Sequence, residues 1–198
     1  IEKEKDDFID RNVMPGQFFM LNYNGKQKPF SFSHFDGHIL GMTIQARGEC
    51  TAAMLAGKVG EYYGITGPLG KGFDCNGQRF LLVAGGIGTA PVYYYAQYLL
   101  NQGKHVDVIF GARTGNLLDY TQPLQEHITY YTDDGSFGKK GFVTENLANL
   151  LKNGNYDVCG ICGPEKMMKV AAEEASKSGS KTKIQISMIL MTCIYHVR

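Results

Sequence analysis

The sequence predicts two consecutive units: a small antiparallel Greek-key β-barrel over residues 1–76 and a five-stranded parallel α/β domain over residues 77–183. Residues 184–198 form a short C-terminal segment beyond them. Three observations carry this prediction. Up to about residue 75, short apolar runs alternate with glycines and turn pairs, the pattern of many short strands at close spacing. From Gln78 onward, apolar runs alternate with stretches of helical periodicity, the pattern of repeated βα units. Between the two lies Leu81-Leu82-Val83-Ala84-Gly85-Gly86-Ile87-Gly88-Thr89-Ala90-Pro91, a buried strand running into a glycine turn and a helix start.

In the first unit, Phe18–Leu21, Lys28–Ser33, Ile39–Ile44 and Tyr62–Thr66 read as strands. Asn24-Gly25 and Asp36-Gly37 supply hairpin turns, because both pairs tolerate positive φ. Residues 52–55 read as a short helix with Thr51 as its cap. In the second unit, strands are expected at 80–84, 106–110, 128–132, 158–161 and 183–187. Helices are expected at 91–101, 143–153 and 165–178. The first of these places Val92, Tyr95, Ala96, Leu99 and Leu100 on one face and stops at Gly103. Proline at position 91 suits the first helical position, where its missing N–H costs nothing. Ligands of parallel sheets bind at the carboxyl ends of the strands. The loops Gly85–Pro91, Gly111–Thr114, Asp133–Ser136 and Cys162–Pro164 gather there.

Composition narrows the function. An apolar fraction of 43% is that of a chain able to bury a core. A net charge of +1 gives no electrostatic case for nucleic acid or for an anionic membrane surface. No apolar run approaches the roughly 18 residues of a membrane span. The five scattered cysteines do not form a disulfide framework and point to a reducing compartment, the cytoplasm. Cys159-Gly160-Ile161-Cys162 has CxxC spacing, but no second CxxC and no nearby His supports zinc. It reads as two cysteines at the end of a buried strand.

Gly86-Ile87-Gly88-Thr89-Ala90-Pro91 is GxGxxP, one glycine short of the dinucleotide fingerprint. The unpaired N–H groups and the dipole at a helix start still suit a pyrophosphate there. Lys28-Pro29-Phe30-Ser31 puts a cation, an aromatic ring and a hydroxyl on one strand, with Lys28 and Phe30 on one face and Ser31 on the other. Gly48-Glu49-Cys50-Thr51 offers backbone N–H groups at a helix start. Gly67-Pro68-Leu69-Gly70-Lys71-Gly72-Phe73 is glycine-rich but not a P-loop, since Gly72 follows the lysine. Arg113 stands where an adenosine ribose or its 2′-phosphate would lie, so NAD and NADP both stay open. Asp133 and Asp134 read first as turn formers.

Taken together, these motifs resemble the ferredoxin–NADP reductase superfamily, and within it the electron-transfer subunits of type B dihydroorotate dehydrogenases. The resemblance rests on Pro15-Gly16-Gln17-Phe18, Lys28-Pro29-Phe30-Ser31, Gly67–Phe73, Gly85–Pro91, Phe110-Gly111-Ala112-Arg113-Thr114, Thr132–Ser136 and Cys162-Gly163-Pro164-Glu165-Lys166-Met167-Met168, in the family's order. It implies an FAD-binding barrel and an NAD(P)H-binding α/β domain. Lys28, Pro29, Phe30, Gly48 and Thr51 are then implied at FAD, with Lys28 in place of the family's usual Arg. Gly86, Gly88, Thr89, Pro91, Arg113, Asp133, Gly163 and Pro164 are implied along the nicotinamide cofactor. Ser31 and Cys162 are implied as the catalytic pair, one at the flavin ring and one at the nicotinamide.

The family further implies a catalytic dehydrogenase subunit as electron partner, pyrimidine biosynthesis as the setting, and a [2Fe–2S] cluster on four C-terminal cysteines. Here Cys193 is the single counterpart of those ligands. Either the sequence is part of a longer chain, as its lack of an initiator Met also suggests, or the cluster has been lost. Two other readings stay open from the residues alone: a free-standing NAD(P)H-dependent flavin or ferredoxin reductase, and a partner-binding subunit that has lost electron transfer.

Overall fold

The computed structural model describes residues 12–188. The chain opens with β1 (Phe18–Tyr23) and β2 (Lys26–Ser31), an antiparallel hairpin. Its turn is Asn24-Gly25, both at positive φ, 49° and 73°. This is the backbone whose twist matches that of the flanking strands. A second, smaller hairpin joins β3 (His34–Phe35) to β4 (Leu40–Gly41) around Asp36-Gly37. There the Asp36 carboxylate accepts the N–H groups of His38 and Ile39 at 2.9 and 2.8 Å. The expected strand at 39–44 shrinks to these two residues, since β3 offers only two partners. Then come α1 (Glu49–Leu55) and β5 (Gly64–Leu69), the latter completing the sheet order β2-β1-β5. Phe19, Leu21, Phe30, Phe32 and Met54 form the core of this unit.

Thr51 does not cap α1. The cap position is Gly48, and Thr51 is the third helical residue. Its hydroxyl accepts the N–H groups of Arg47 and Gly48 at 2.9 and 3.2 Å and donates to the Gly48 carbonyl at 3.0 Å. Reaching back from inside the first turn, it ties down the residues that lead into the helix and leaves the N–H groups of the first turn itself without a side-chain cap.

The second unit contains β6 (Arg79–Gly85), α2 (Thr89–Asn101), β7 (His105–Ala112), β8 (Ile128–Thr132), β9 (Lys139–Lys140), α3 (Leu147–Asn153), β10 (Val158–Gly163), α4 (Glu165–Lys177) and β11 (Lys183–Met188). The sheet order is β11-β10-β6-β7-β8-β9, parallel throughout. All five expected strands are present. The sixth, β9, is a two-residue edge too short to leave a sequence signal. Helices cover both faces, each over its own core: Leu82, Val92, Tyr95, Leu99 and Phe110 on one side, and Leu81, Val83, Leu147, Leu151 and Ile161 on the other.

Four details differ from expectation. Helix α2 begins at Thr89, after a 3₁₀ turn over Gly86–Gly88, so Pro91 is its third residue. The missing N–H still falls within the first turn, where no carbonyl awaits it. Helix α3 begins at Leu147 because 143–146 close as turns, with i to i+3 bonds Glu145 N–H to Phe142 O and Leu147 N–H to Thr144 O. A 3₁₀ stretch, Gly115–His127, fills the connection from β7 to β8, with Pro123 inside it. Finally, β11 runs to Met188 in register with β10, so residues 184–188 complete the α/β sheet, across the boundary expected at 183.

Helix α2 also joins the two units. Tyr95 is fully buried against the sheet, its ring stacked on Phe73 at 4.7 Å and edge-on to Phe80 at 6.2 Å. One residue back along the helix, and so about 100° round it, Tyr94 enters the barrel core and donates its hydroxyl to the Val13 carbonyl at 3.1 Å. The linker is tied to the far edge of the sheet: Asp74 N–H donates to Gln185 Oε1 at 2.8 Å, and Lys183 Nζ lies 2.5 Å from the Asp74 carboxylate.

Candidate functional site between barrel and sheet

A cavity of about 250 Å³ opens where the two units meet. The barrel side contributes Gly16, Phe18 and Ser31. Phe18 and Ser31 are cross-strand partners at one end of the β1–β2 hairpin. The loop after β5 contributes Gly70 and Lys71, and the α/β side contributes Pro91, Cys162 and Ser187. Cys162 and Ser187 are register partners on β10 and β11, so their side chains leave the sheet side by side. Three of the residues expected at the site, Ser31, Pro91 and Cys162, are therefore brought together from three elements.

Cys162 is buried, and burial pushes its thiol up to about 12. It is a neutral thiol at any ordinary pH. Cys159 is also buried and likewise pushed up to about 12. Three residues apart on an extended strand, the two face opposite sides: Cys162 packs with the α2-side core and Cys159 with the α4-side core. They are two strand-end cysteines and not a redox pair.

The glycine turn has two kinds of glycine. Gly88 is a packing glycine: a Cβ there would lie 2.5 Å from the Cys162 carbonyl oxygen and 2.8 Å from Gly163 Cα. This close contact seats the start of α2 on the carboxyl end of β10. Gly86 is open. It is exposed at φ +54°, and a Cβ there would meet nothing closer than Pro164 Cγ at 3.9 Å. Thr89 is buried and pins the turn by donating its hydroxyl to the Gly86 carbonyl at 2.8 Å. The start of α2 carries no side-chain cap and no acidic residue in its first turn. An accessible turn at the positive end of the α2 dipole, with no carboxylate beside it, fits a pyrophosphate. Gly163 is buried under Met167, and Pro164 is exposed at the lip between β10 and α4.

Arg113 and Asp133 lie further along the same sheet end, on adjacent loops. Asp133 N–H bonds to the Ala112 carbonyl at 3.1 Å and Asp134 N–H to the Arg113 carbonyl at 3.4 Å. Both side chains are exposed, and neither lines the cavity. Asp134 is the turn former: Ser136 donates to it from its hydroxyl and its N–H, at 2.7 and 2.9 Å, and these bonds hold the carboxyl below its usual value.

On the barrel, Lys28 and Pro29 are half-buried on β2. Lys26, on the same strand face as Lys28, lies 3.8 Å from Glu49 at the start of α1. This brings the Lys28 face toward Gly48–Thr51. Two expected contacts change character. The Phe30 ring is 1% exposed in the barrel core, so only its backbone is left for a ligand. The Thr51 hydroxyl is used up inside its own turn, so the N–H groups of the first helical turn are what α1 offers. Cys193 lies outside the described residues. Among the described residues, no group of three His, Cys, Asp or Glu side chains is placed to hold a metal.

Ser187 escaped the sequence reading, and Lys71 entered it only as part of the glycine-rich loop Gly67–Phe73, with no role of its own. The signal for Ser187 was its place one parallel strand over from Cys162. For Lys71 it was its place between two glycines of a loop following a strand.

The comparisons with known proteins agree with this geometry. The family model for an oxidoreductase NAD-binding domain matches residues 82–173, the sheet and helices that carry the glycine turn. A Methanocaldococcus jannaschii protein, named as a probable electron transfer subunit of dihydroorotate dehydrogenase B (NAD(+)), is 38% identical over 90% of this chain and 68% of its own length. A Methanothermobacter thermautotrophicus protein of the same name is 40% identical over 80% of this chain and 60% of its own length. The chain thus spans about two thirds of the length of these relatives. In fold, it is similar to a solved NADH-dependent reduced ferredoxin–NADP oxidoreductase, with TM-score 0.77, 28% identity, and coverage of 91% of this chain and 67% of the other. Barrel, glycine turn and matched relatives converge: the chain belongs to the family of dihydroorotate dehydrogenase B electron transfer subunits, NAD-linked oxidoreductases built on the ferredoxin-reductase fold.

Proposed function

We propose that the chain binds FAD on its barrel and NAD(H) on its α/β sheet, and passes electrons between them toward a catalytic dehydrogenase subunit. The observation that carries this is the shared cavity, lined by Ser31 from one unit and by Pro91 and Cys162 from the other. A cavity of about 250 Å³ holds the reacting rings of two cofactors rather than whole dinucleotides. The cofactors supply the hydride chemistry, and the chain supplies position and exclusion of water. In this reading residues 1–76 hold FAD, through Lys28, Pro29, the Phe30 backbone, Gly48 and the first turn of α1. The NAD unit runs from 77 to the end of β11. There the open turn at Gly86, seated by Gly88 and pinned by Thr89, receives the pyrophosphate, Pro91 borders the ring cavity, Arg113 and Asp133 meet the adenosine, and Gly163 and Pro164 the nicotinamide end.

Ser31 and the neutral Cys162 flank the rings as hydrogen-bond donors. Neither needs to ionise, so hydride transfer requires no acid–base pair from the protein. Cys193 is the single counterpart here of the four cysteines that would hold the family's [2Fe–2S] cluster. The four free cysteines of the described residues suit a cytoplasmic setting. None of the described helices is long and apolar enough to cross a membrane.

The test is the visible spectrum of the FAD-loaded protein during anaerobic titration with NADH and, separately, NADPH. The flavin band is expected to bleach with about one equivalent of NADH. A protein that takes up no FAD, or whose bound FAD is untouched by either nucleotide, overturns the reading.

A further inference from the structure

The loop Gly70-Lys71-Gly72 forms one lip of the cavity, and Lys71 is the one residue lining it whose side chain carries a charge. The other polar groups there are the hydroxyls of Ser31 and Ser187 and the thiol of Cys162, all neutral. No Asp or Glu lines the cavity. Lys71 is exposed and forms no ion pair or side-chain hydrogen bond among the described residues.

The loop that presents it is held on both sides. Gln17 Nε2 donates to the Gly70 carbonyl at 3.1 Å, and Phe73 N–H donates to the Pro15 carbonyl at 2.7 Å. The Phe73 ring is stacked on buried Tyr95. Gly70 has φ +77°, and a Cβ at Gly72 would strike Met14 Cβ at 2.6 Å. The backbone carrying this cation is therefore fixed relative to the cavity.

Hydride transfer creates charge at this place. NADH + FAD gives NAD⁺ + FADH⁻: one hydrogen and two electrons move together, no proton is taken up, and the flavin ring gains a negative charge. A cation fixed at the cavity lip interacts with that product more favourably than with the neutral ring before it. We propose that Lys71 biases the bound flavin toward its reduced, negatively charged form. This rests on the cavity being the meeting place of FAD and NAD(H).

The experiment measures the affinities of oxidised and of reduced FAD for the wild-type protein, Lys71→Gln, Lys71→Glu and Lys71→Arg, together with the midpoint potential of the loaded protein. A solvated cation acting on a nearby charge predicts that Lys71→Gln weakens reduced FAD about threefold and leaves oxidised FAD unchanged. At about 30 mV per tenfold for a two-electron couple, that lowers the potential by about 14 mV. Lys71→Glu is expected to give about twice the shift, since it reverses the charge, and Lys71→Arg to restore the wild-type value. Molar salt should shrink every shift. Lys181→Gln, at the opposite end of the sheet, should change nothing.

Equal weakening of oxidised and reduced FAD would mean that the lysine holds the phosphates, which are the same in both states, and would overturn the inference. An unchanged ratio in both Lys71→Gln and Lys71→Glu would overturn it too. A wild-type protein that takes up no FAD overturns the underlying reading and this inference with it.

Discussion

The two halves of the molecule build their binding surfaces from different materials. The α/β half offers backbone. Gly86 opens the turn before α2, and Gly88 and Gly163 let backbone pack closely beneath it, over side chains that are almost wholly buried. The barrel half offers side chains and loops: Lys28, Pro29 and Ser31 on a short strand, and Lys71 on a clamped turn, over a smaller core. Backbone sites are broken by adding atoms, and side-chain sites by removing them. Substitutions in the two halves should therefore fail differently: in the sheet through packing and stability together, in the barrel through affinity or rate with little change in stability.

The largest effect belongs to the residue that both halves share. Tyr95→Ala empties a fully buried site against Phe73 and Phe80 and is expected to cost about 3–5 kcal/mol, read from the urea midpoint. Gly88→Ala should come next. Its Cβ would meet backbone atoms of Cys162 and Gly163, which cannot swing away, so about 1–3 kcal/mol of stability should go along with NADH binding. Gly86→Ala sharpens the contrast within one turn. The space is open, so only the left-handed backbone is penalised, by about 1–2 kcal/mol, while NADH affinity by titration should fall as far as in Gly88→Ala. Smallest is Arg113→Ala on an exposed loop: stability within about 0.5 kcal/mol of wild type, with only NADH affinity reduced.

Alkaline pH tests the cysteine assignment. Burial raises the thiols of Cys159 and Cys162 from 9.0 to about 12. A raised value in the folded state means that their contribution is complete below about pH 9 and is lost as pH climbs toward 12. The urea midpoint should thus fall between pH 9 and 11 and fall less in a Cys159→Ala, Cys162→Ala double variant. The rate of flavin reduction should show no thiol inflection between pH 7 and 9.

How much of this was legible follows from the same contrast. The α/β half announces itself, because buried strands must be continuous apolar runs and the turns between them need glycine. Ile128–Thr132 was readable to the residue. What was missed there lacked a periodic signal: the two-residue edge β9, and the 3₁₀ stretch over Gly115–His127, whose polar residues and Pro123 suit no regular helix. In the barrel, the Asn24-Gly25 turn fixed the first hairpin, but the roles of individual side chains depended on packing. Alternation put Lys28 and Phe30 on one face, yet Phe30 is taken by the core. Thr51 was legible as a turn-stabilising hydroxyl, though not that it reaches back from inside the helix. The Gly67–Phe73 loop was legible as a motif, but that its Lys71 shares a cavity with Ser187 became visible only when the two units closed on each other, because a cavity between elements leaves no local pattern in either.

The most direct measurement of the central claim is the single-turnover rate at which saturating NADH bleaches bound FAD, in wild type, Ser31→Ala and Cys162→Ala. If the cavity between barrel and sheet is where the two rings meet, each substitution should slow the bleach by about tenfold or more while FAD content stays close to wild type. The urea midpoint should hold in Ser31→Ala and fall modestly in Cys162→Ala, whose thiol is buried in the core. Rates unchanged in both variants would place the electron transfer elsewhere and contradict the account.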